Sequence, residues 1–311
     1  MSVKHSLIVP CYNEEGNVEN FLREAKEAMK GYTNSYEIVF VNDGSKDSTP
    51  GKLREIFNKN KDVRIKVINF SRNFGKEAAM YAGFTQASGE YITIIDADLQ
   101  QDPKYAVEMA KILDSDPDCD MVAAYQSERK EGKAISKAKH VFYKTISKMT
   151  GIDFISDASD FRTVRKSVAD TIIALPEYHR FSKGIFSWVG YNTVSIPYEV
   201  RERESGETKW NLRKLIAYAF EGIMAYTDKP LKLPLYFGAV LLVISAILGI
   251  IGFFVPYYGI ISTILFVGAL VLICQGISGA YIGKVHTQVK DRPIFIAKEI
   301  LTYEHGQESD N

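Results

Sequence analysis

Two stretches late in the chain exclude most folds at once. Leu235 to Val255 gives 21 residues without a charged side chain, and Gly259 to Ile282 gives a second such run. At about 1.5 Å per residue, 21 helical residues span roughly 30 Å, the thickness of a hydrocarbon core. The core helix of a soluble domain fits one such run poorly and two in tandem worse; together they predict a helical hairpin across a bilayer. The rest of the chain has the composition of a globular protein. Lysine plus arginine and aspartate plus glutamate number 38 each, so overall charge points to no nucleic-acid partner. Cys11, Cys119 and Cys274 are far apart, with no CxxC or Cys/His metal spacing, which fits a reduced cytosolic setting. The short apolar stretch Leu7–Val9 is far too brief for a signal peptide.

Positive charge orients the hairpin. Lys229 and Lys232 precede the first run, Lys284, Lys290 and Arg292 follow the second, and the connection Pro256-Tyr257-Tyr258-Gly259 carries none. Both termini are therefore expected on the cytoplasmic side of a cell membrane. Just upstream, Leu212, Leu215, Ile216, Ala219, Phe220, Ile223 and Met224 recur at helical spacing beside Arg213 and Lys214, as in a helix packed on the domain or one lying in the membrane interface; its place directly before the first apolar run favours the interface. The expected division is a cytoplasmic domain over residues 1–210, an interface segment over 211–232, and two transmembrane helices within 233–283, at about 235–255 and 259–282. A cytoplasmic tail over 284–311 follows, its end Gly306–Asn311 frayed. Gly268, Gly276 and Gly279 suit close helix association, which leaves a homo-oligomer open without requiring one.

The first 125 residues alternate short apolar runs with helix-period segments, the pattern of an α/β fold with a mostly parallel sheet. Strands are predicted at Ser6–Val9, Glu37–Val41, Arg64–Phe70, Tyr91–Ile95 and Met121–Tyr125. Val18, Phe21, Leu22, Ala25, Ala28 and Met29 mark one amphipathic helix, and Ala106, Met109, Ala110 and Leu113 another. The lysine-rich stretch from Ser127 to Ile155 reads as a solvated helix face. Functional residues of such sheets gather where loops leave the carboxyl ends of the strands.

Four such ends carry chemistry. Asp96-Ala97-Asp98, with Gln100 two residues on, follows an apolar strand. Carboxylates at i and i+2 of an extended turn can face one hard cation, Mg2+ or Mn2+, leaving positions for phosphate and water. Asn42-Asp43-Gly44-Ser45 is a strong turn signal whose carboxylate can accept hydrogen bonds from a base or ribose. Pro10-Cys11-Tyr12-Asn13-Glu14 places an aromatic ring where it can cover a nucleobase. Ser71-Arg72-Asn73-Phe74-Gly75-Lys76 sets two cations beside a helix start, which suits a diphosphate. Taken singly, each has a plain reading as a turn, a cap or a solvated charge; four successive strand ends together do not. There is no GxGxxG and no GxxxxGK[ST], so dehydrogenase and P-loop folds lack their main support.

Together these motifs resemble glycosyltransferase family 2 on the GT-A fold. Asp160-Phe161-Arg162, Gly206-Glu207-Thr208-Lys209-Trp210 and Tyr281–Pro293 narrow the resemblance to the polyprenyl-phosphate sugar transferases, the group of bactoprenol glucosyltransferases and dolichol-phosphate mannose synthases. The match runs from about Leu7 to Phe295. The resemblance implies a donor pocket lined by Pro10, Tyr12, Glu14 and Asp43, with Asp43 reading the base. Arg72 and Lys76 would lie on the diphosphate, and Asp96, Asp98 and Gln100 would hold the metal. Asp160 and Arg162 would lie near the sugar, and Arg203 and Lys209 would take the acceptor phosphate. The implied partners are a nucleotide sugar, uridine-type by preference, and a polyprenyl phosphate such as undecaprenyl phosphate. Truncation after Thr227 is expected to spare donor binding and to impair transfer to long-chain lipid. A processive polysaccharide synthase would carry a QxxRW segment and more spans, and neither is present. A catalytically silent membrane-bound nucleotide-sugar sensor or scaffold is the alternative from another class.

Overall fold

Strand after strand in the amino-terminal half is apolar on both faces, which calls for helices on both sides of a sheet. The computed structural model shows that arrangement. It describes residues 2–127, 158–201 and 257–302, together with the isolated positions 236, 237, 240 and 244. In chain order the elements are β1 (His5–Cys11), α1 (Val18–Lys30), β2 (Tyr36–Asn42), α2 (Thr49–Lys59), β3 (Arg64–Phe70) and α3 (Lys76–Gln86). Then come β4 (Tyr91–Ile94), α4 (Lys104–Ser115), β5 (Met121–Gln126), β6 (Ala158–Arg165) and α5 (Lys166–Ala174). α6 (Ser182–Trp188), β7 (Thr193–Tyr198), α7 (Tyr257–Val289) and β8 (Ala297–Leu301) complete the described residues. The five strands read from the sequence are present, Arg64–Phe70 with the same ends and the others with ends moved by at most two residues; β6, β7 and β8 were not foreseen.

The strands form one sheet in the order β7-β5-β6-β4-β1-β2-β3-β8. Pairs β1–β2, β1–β4, β2–β3 and β5–β7 are parallel, while β6 runs antiparallel to both neighbours and β8 antiparallel to β3. Alternation sorts the core. Leu7 and Val9 of β1 pack with Phe21, Met29, Leu53 and Leu113 under α1, α2 and α4. Ile8, one residue out of phase, packs with Phe84, Ile92, Val164 and Phe186 under α3, α5 and α6. Helix α3 comes so close to β1 that a Cβ on Gly83 would stand 2.1 Å from Ile8 Cγ2.

This order decides where ligands can enter. From β1 the chain moves outward through β2 and β3, then returns to place β4 on β1's other side. Strand order therefore reverses between β1 and β4, and in sheets of this kind the ligand crevice lies at that topological switch point.

Helix α7 covers the second apolar run. Its stretch Phe266–Val289 has a mean hydropathy of 1.7 and is long and apolar enough to cross a membrane, and none of it is buried inside the protein. The two-helix hairpin is not established: of the first run only Tyr236, Phe237, Val240 and Ile244 are described, all helical and exposed. The connection at Pro256, the interface segment Leu212–Met224, Lys229, Lys232, the lysine-rich stretch beyond Ser127, and Gly306–Asn311 lie outside the described residues. Part of what was expected as tail joins the sheet instead. β8 closes the β3 edge, Phe295 stacks on Phe70 at 5.0 Å, and Gln288 of α7 is bound to the α5–α6 loop at Pro176 and Tyr178.

Candidate active site

The acidic turn begins where β4 runs out of sheet partners. Ile94 pairs with Arg162 of antiparallel β6, and continuing that register by two residues sets Asp160 opposite Asp96. Both carboxylates meet one ammonium. Lys76 Nζ, at the start of α3, lies 2.7 and 2.9 Å from the two Asp96 oxygens and 3.3 Å from Asp160 Oδ2. Burial works against the Lys76 charge, but Asp96 and Asp160 outweigh it and raise the pKa, so the ammonium persists. Burial alone would also lift Asp160; Lys76, Lys183 and Arg162 around it reverse the balance and hold its carboxyl at about 2.

The turn itself is locally determined. Asp98 Oδ1 accepts the Gln100 backbone N–H at 3.2 Å, and Leu99 adopts a φ of +58°. Gln101 also reaches Asp96: its Oε1 accepts the Asp96 N–H at 3.0 Å, and its Nε2 lies 3.5 Å from Asp96 Oδ2. The Gln100 carbonyl accepts the Arg201 N–H at β7's exit, while the Arg201 guanidinium bridges Glu24 and Asp102. Arg203 and Lys209 lie outside the described residues.

On the other side of the crevice, the loops after β1 and β2 are stitched together. Asn13 N–H donates to Ser45 Oγ at 2.9 Å, Lys46 N–H to Asn13 Oδ1 at 2.9 Å, and Glu14 N–H to Thr49 Oγ1 at 2.9 Å. Tyr12, Pro10 and Glu14 line this edge, each half-buried, with Glu14 accepting from Asn17 Nδ2 at 2.6 Å. Asp43 is buried and engaged. Its Oδ1 accepts the Phe74 N–H at 2.6 Å and its Oδ2 the Gly75 N–H at 3.0 Å, so it fastens the loop that leads into Lys76. Burial raises its pKa and those two amides pull it back part of the way. Arg72 is exposed, its guanidinium 4.4 Å from the Phe74 ring centre.

Arg162 points with Asp160 to the face covered by α3 and α6, as i, i+2 spacing in a strand requires. It is 4% exposed, with its guanidinium 3.8 Å from the Phe186 ring centre, and burial lowers its pKa to about 10 against the pull of Asp160 and Glu77. The structure thus gathers Lys76, Asp96 and Asp160 at one point, keeps Arg162 beneath them, and puts Tyr12, Asp43 and Arg72 along the neighbouring loops. Reasoning from sequence passed over Gln101, Glu77, Ser182 and Lys183. Glu77, beside Lys76 at a helix start, was the one with a local signal; Ser182 and Lys183 arrive only by tertiary folding.

The glycosyl transferase family 2 model matches residues 6–173. The protein described as prophage bactoprenol glucosyl transferase homolog in Escherichia coli K12 is 36% identical over 96% of this chain and 99% of its own. The SfII prophage-derived bactoprenol glucosyl transferase of Shigella flexneri is likewise 36% identical, over 96% of this chain and 98% of its own. Among solved structures, mannosyl-3-phosphoglycerate synthase from Rubrobacter xylanophilus shares the fold, with a TM-score of 0.51 at 15% identity over 72% of each chain. With the family model spanning more than half of the chain and such relatives along nearly all of it, the chain belongs to glycosyl transferase family 2.

Proposed function

We propose that this glycosyltransferase moves a sugar from a uridine-type nucleoside diphosphate onto a polyprenyl phosphate at the cytoplasmic face of a membrane, with a divalent cation and with inversion. The observation that carries the reading is the meeting of Lys76, Asp96 and Asp160 at adjacent strand ends beside the switch-point crevice. There the Lys76 ammonium can meet diphosphate oxygens, Asp96 can hold a cation for them, and Asp160 can accept hydrogen bonds from sugar hydroxyls. Relatives named as bactoprenol glucosyl transferases, matched end to end, favour a polyprenyl acceptor.

The residues present fit a divalent metal. Asp96 and Asp98 form an all-oxygen pair suited to Mg2+ or Mn2+. Among the described residues no cluster of three or more His, Cys, Asp or Glu is disposed to hold one. With Gln100 as a third oxygen ligand, Asp96 and Asp98 would still leave room for diphosphate oxygens and water, as suits an ion that arrives with its donor. When bound, the ion offsets charge on the departing diphosphate. Lys76, already on Asp96 and firmly charged, adds a fixed positive group beside it.

Asp160 then has little work as a base. A phosphate monoester has its second pKa near about 6, so the acceptor is mostly ionised at neutral pH. A carboxyl held at about 2 makes a poor proton acceptor and a good hydrogen-bond acceptor, so Asp160 orients sugar or acceptor hydroxyls. Arg203 and Lys209 are assigned to the acceptor phosphate, where they counter repulsion between it and the carboxylates. Arg201, two residues before Arg203, is fixed on Gln100 and Asp102 beside the acidic turn, which supports that assignment. The exposed apolar surface of α7 supports a membrane location, since a polyprenyl chain does not leave the bilayer.

The test is transfer by the full-length chain in lipid vesicles, screening radiolabelled UDP- and GDP-sugars with undecaprenyl phosphate and either Mg2+ or Mn2+. Asp98→Asn is expected to lower the rate at least about 100-fold, the scale on which loss of a charge-stabilising group acts. Transfer at the parent rate by that variant would sink the reading. A product keeping the donor's anomeric configuration would remove inversion.

A further inference from the structure

Behind Asp160 lies a second carboxylate that the reaction outlined above does not use. Glu77, the second residue of α3, accepts the Ser182 backbone N–H on both oxygens at 3.0 Å, and its Oε1 lies 3.1 Å from Ser182 Oγ. The same hydroxyl lies 3.0 Å from Asp160 Oδ1. A hydroxyl has one hydrogen and two lone pairs, so Ser182 can donate to only one of these carboxylates. Two ionised carboxylates around one hydroxyl would leave one oxygen facing another without a hydrogen between them. The arrangement closes if Glu77 carries a proton: its O–H donates to Ser182 Oγ, and Ser182 O–H donates to Asp160. The environment sorts the two acids in that sense. Asp160, ringed by Lys76, Lys183 and Arg162, stays ionised, whereas burial and the Asp160 charge push Glu77 up to about 7.

We infer that Glu77 and Ser182 form a hydrogen-bonded relay that fixes the orientation of Asp160 in the transfer site, which makes both of them positioning residues. The inference rests on Asp160 serving transfer as proposed. The charged and titratable groups around the pair are Asp160 and Arg162 from β6, Arg180 from the α5–α6 loop and Lys183 from α6. Lys76 and Tyr81 face it from α3, and Asp96 from the acidic turn acts through Lys76. The geometry also explains why α6 begins where it does: Ser182 is its first residue, and both its donors are spent on this contact.

The test measures kcat, KM and pH profile of the full-length chain with UDP-glucose and undecaprenyl phosphate, alongside UDP affinity. Ser182→Ala is expected to lower kcat about 10- to 100-fold, the range for losing a hydrogen bond to a charged group. KM for UDP-glucose and UDP affinity should stay within about twofold, and Ser182→Thr, which restores the hydroxyl, should recover most of the rate. In the parent, kcat should decline above about pH 7 as Glu77 ionises and competes for the serine hydrogen. Glu77→Gln, whose amide donates to Oγ and accepts from the Ser182 N–H at every pH, should lack that decline. Parent-like kcat in Ser182→Ala, or an unaltered decline in Glu77→Gln, would overturn the relay while leaving the proposed reaction standing. Asp160→Asn separates the two: a parent-like rate there would defeat the assignment of Asp160 itself.

Discussion

Gly44 and Asp43 show how much one turn can carry. Gly44 has a φ of +64°, and a Cβ there would stand 2.3 Å from the Arg72 carbonyl carbon. The bare backbone lets the loop after β3 lie against the loop after β2, and Asp43 then reaches the Phe74 and Gly75 amides. Gly44→Ala is expected to cost at least about 1–3 kcal/mol, from left-handed strain plus the backbone clash. It should lower the Tm of the detergent-solubilised chain by several degrees and weaken UDP binding. A Tm within about one degree of the parent would contradict this. The sequence named the residues Asn42–Ser45 because Asp-Gly is a turn signal, but it left Asp43 open between a base contact and a structural one. That choice depends on where residues 72–75 lie, 30 positions away in the chain.

At the scale of elements, β6 does most to build the site, and its antiparallel pairing was not legible. Ala158–Arg165 mixes Asp160, Arg162 and Arg165 with apolar residues, so it lacks the apolar run that marked the parallel strands. Its polar residues are absorbed by neighbours. Thr163 Oγ1 lies 2.6 Å from Thr93 Oγ1, which lies 2.6 Å from His5 Nε2, so one hydrogen-bonded line crosses β6, β4 and β1. His5 is fully buried, and burial lowers its pKa to about 3, with Asp114 opposing and Lys4 adding to the shift. The sign follows from linkage. Below the ordinary histidine value of 6.5 the unfolded chain takes up a proton that folded His5 refuses. Stability from this group is full above about pH 6.5 and is lost as pH falls toward 3, at up to about 1.4 kcal/mol per unit. Tm should therefore drop between pH 6.5 and 4, and His5→Gln, which can keep a bond to Thr93, should flatten that part of the curve. An unchanged acid limb in His5→Gln would show that other groups govern it.

For the whole molecule, the tie between α7 and the sheet changes what truncation should do. Gln288 Nε2 donates to the Pro176 carbonyl at 2.7 Å, and its Oε1 accepts the Tyr178 N–H at 2.8 Å. Six residues beyond it, the chain begins packing on Phe70 and then enters the sheet as β8. Glu299 of β8 accepts from Asn69 at 2.9 Å and from Arg54 at 2.8 Å, and Asn69 in turn accepts from Asn42 beside Asp43. Removing everything after Thr227 strips this strand, bares the β3 edge and uncovers Phe70. Intact donor binding is therefore no longer the expected result; the truncated chain should show a lower Tm, weaker UDP binding and a tendency to aggregate. A truncated chain as stable as the parent would mean that β8 adds nothing to the domain. The exposed apolar length of α7 should also keep the full chain in the membrane pellet through alkaline carbonate extraction; release into the supernatant would count against a spanning helix.

Sequence alone determined the class of structure and named the candidate chemistry, because both are written in local patterns. Apolar runs with helical segments between them specify the layers, and short polar clusters at the strand ends specify metal- and phosphate-suited residues. Only the tertiary structure decided which of those groups meet. Lys76 on Asp96 and Asp160, Glu77 with Ser182, and β8 on β3 each join residues distant in the chain. Strand order and antiparallel register govern such meetings, and these are set by the packing of the whole core, which no local spacing records.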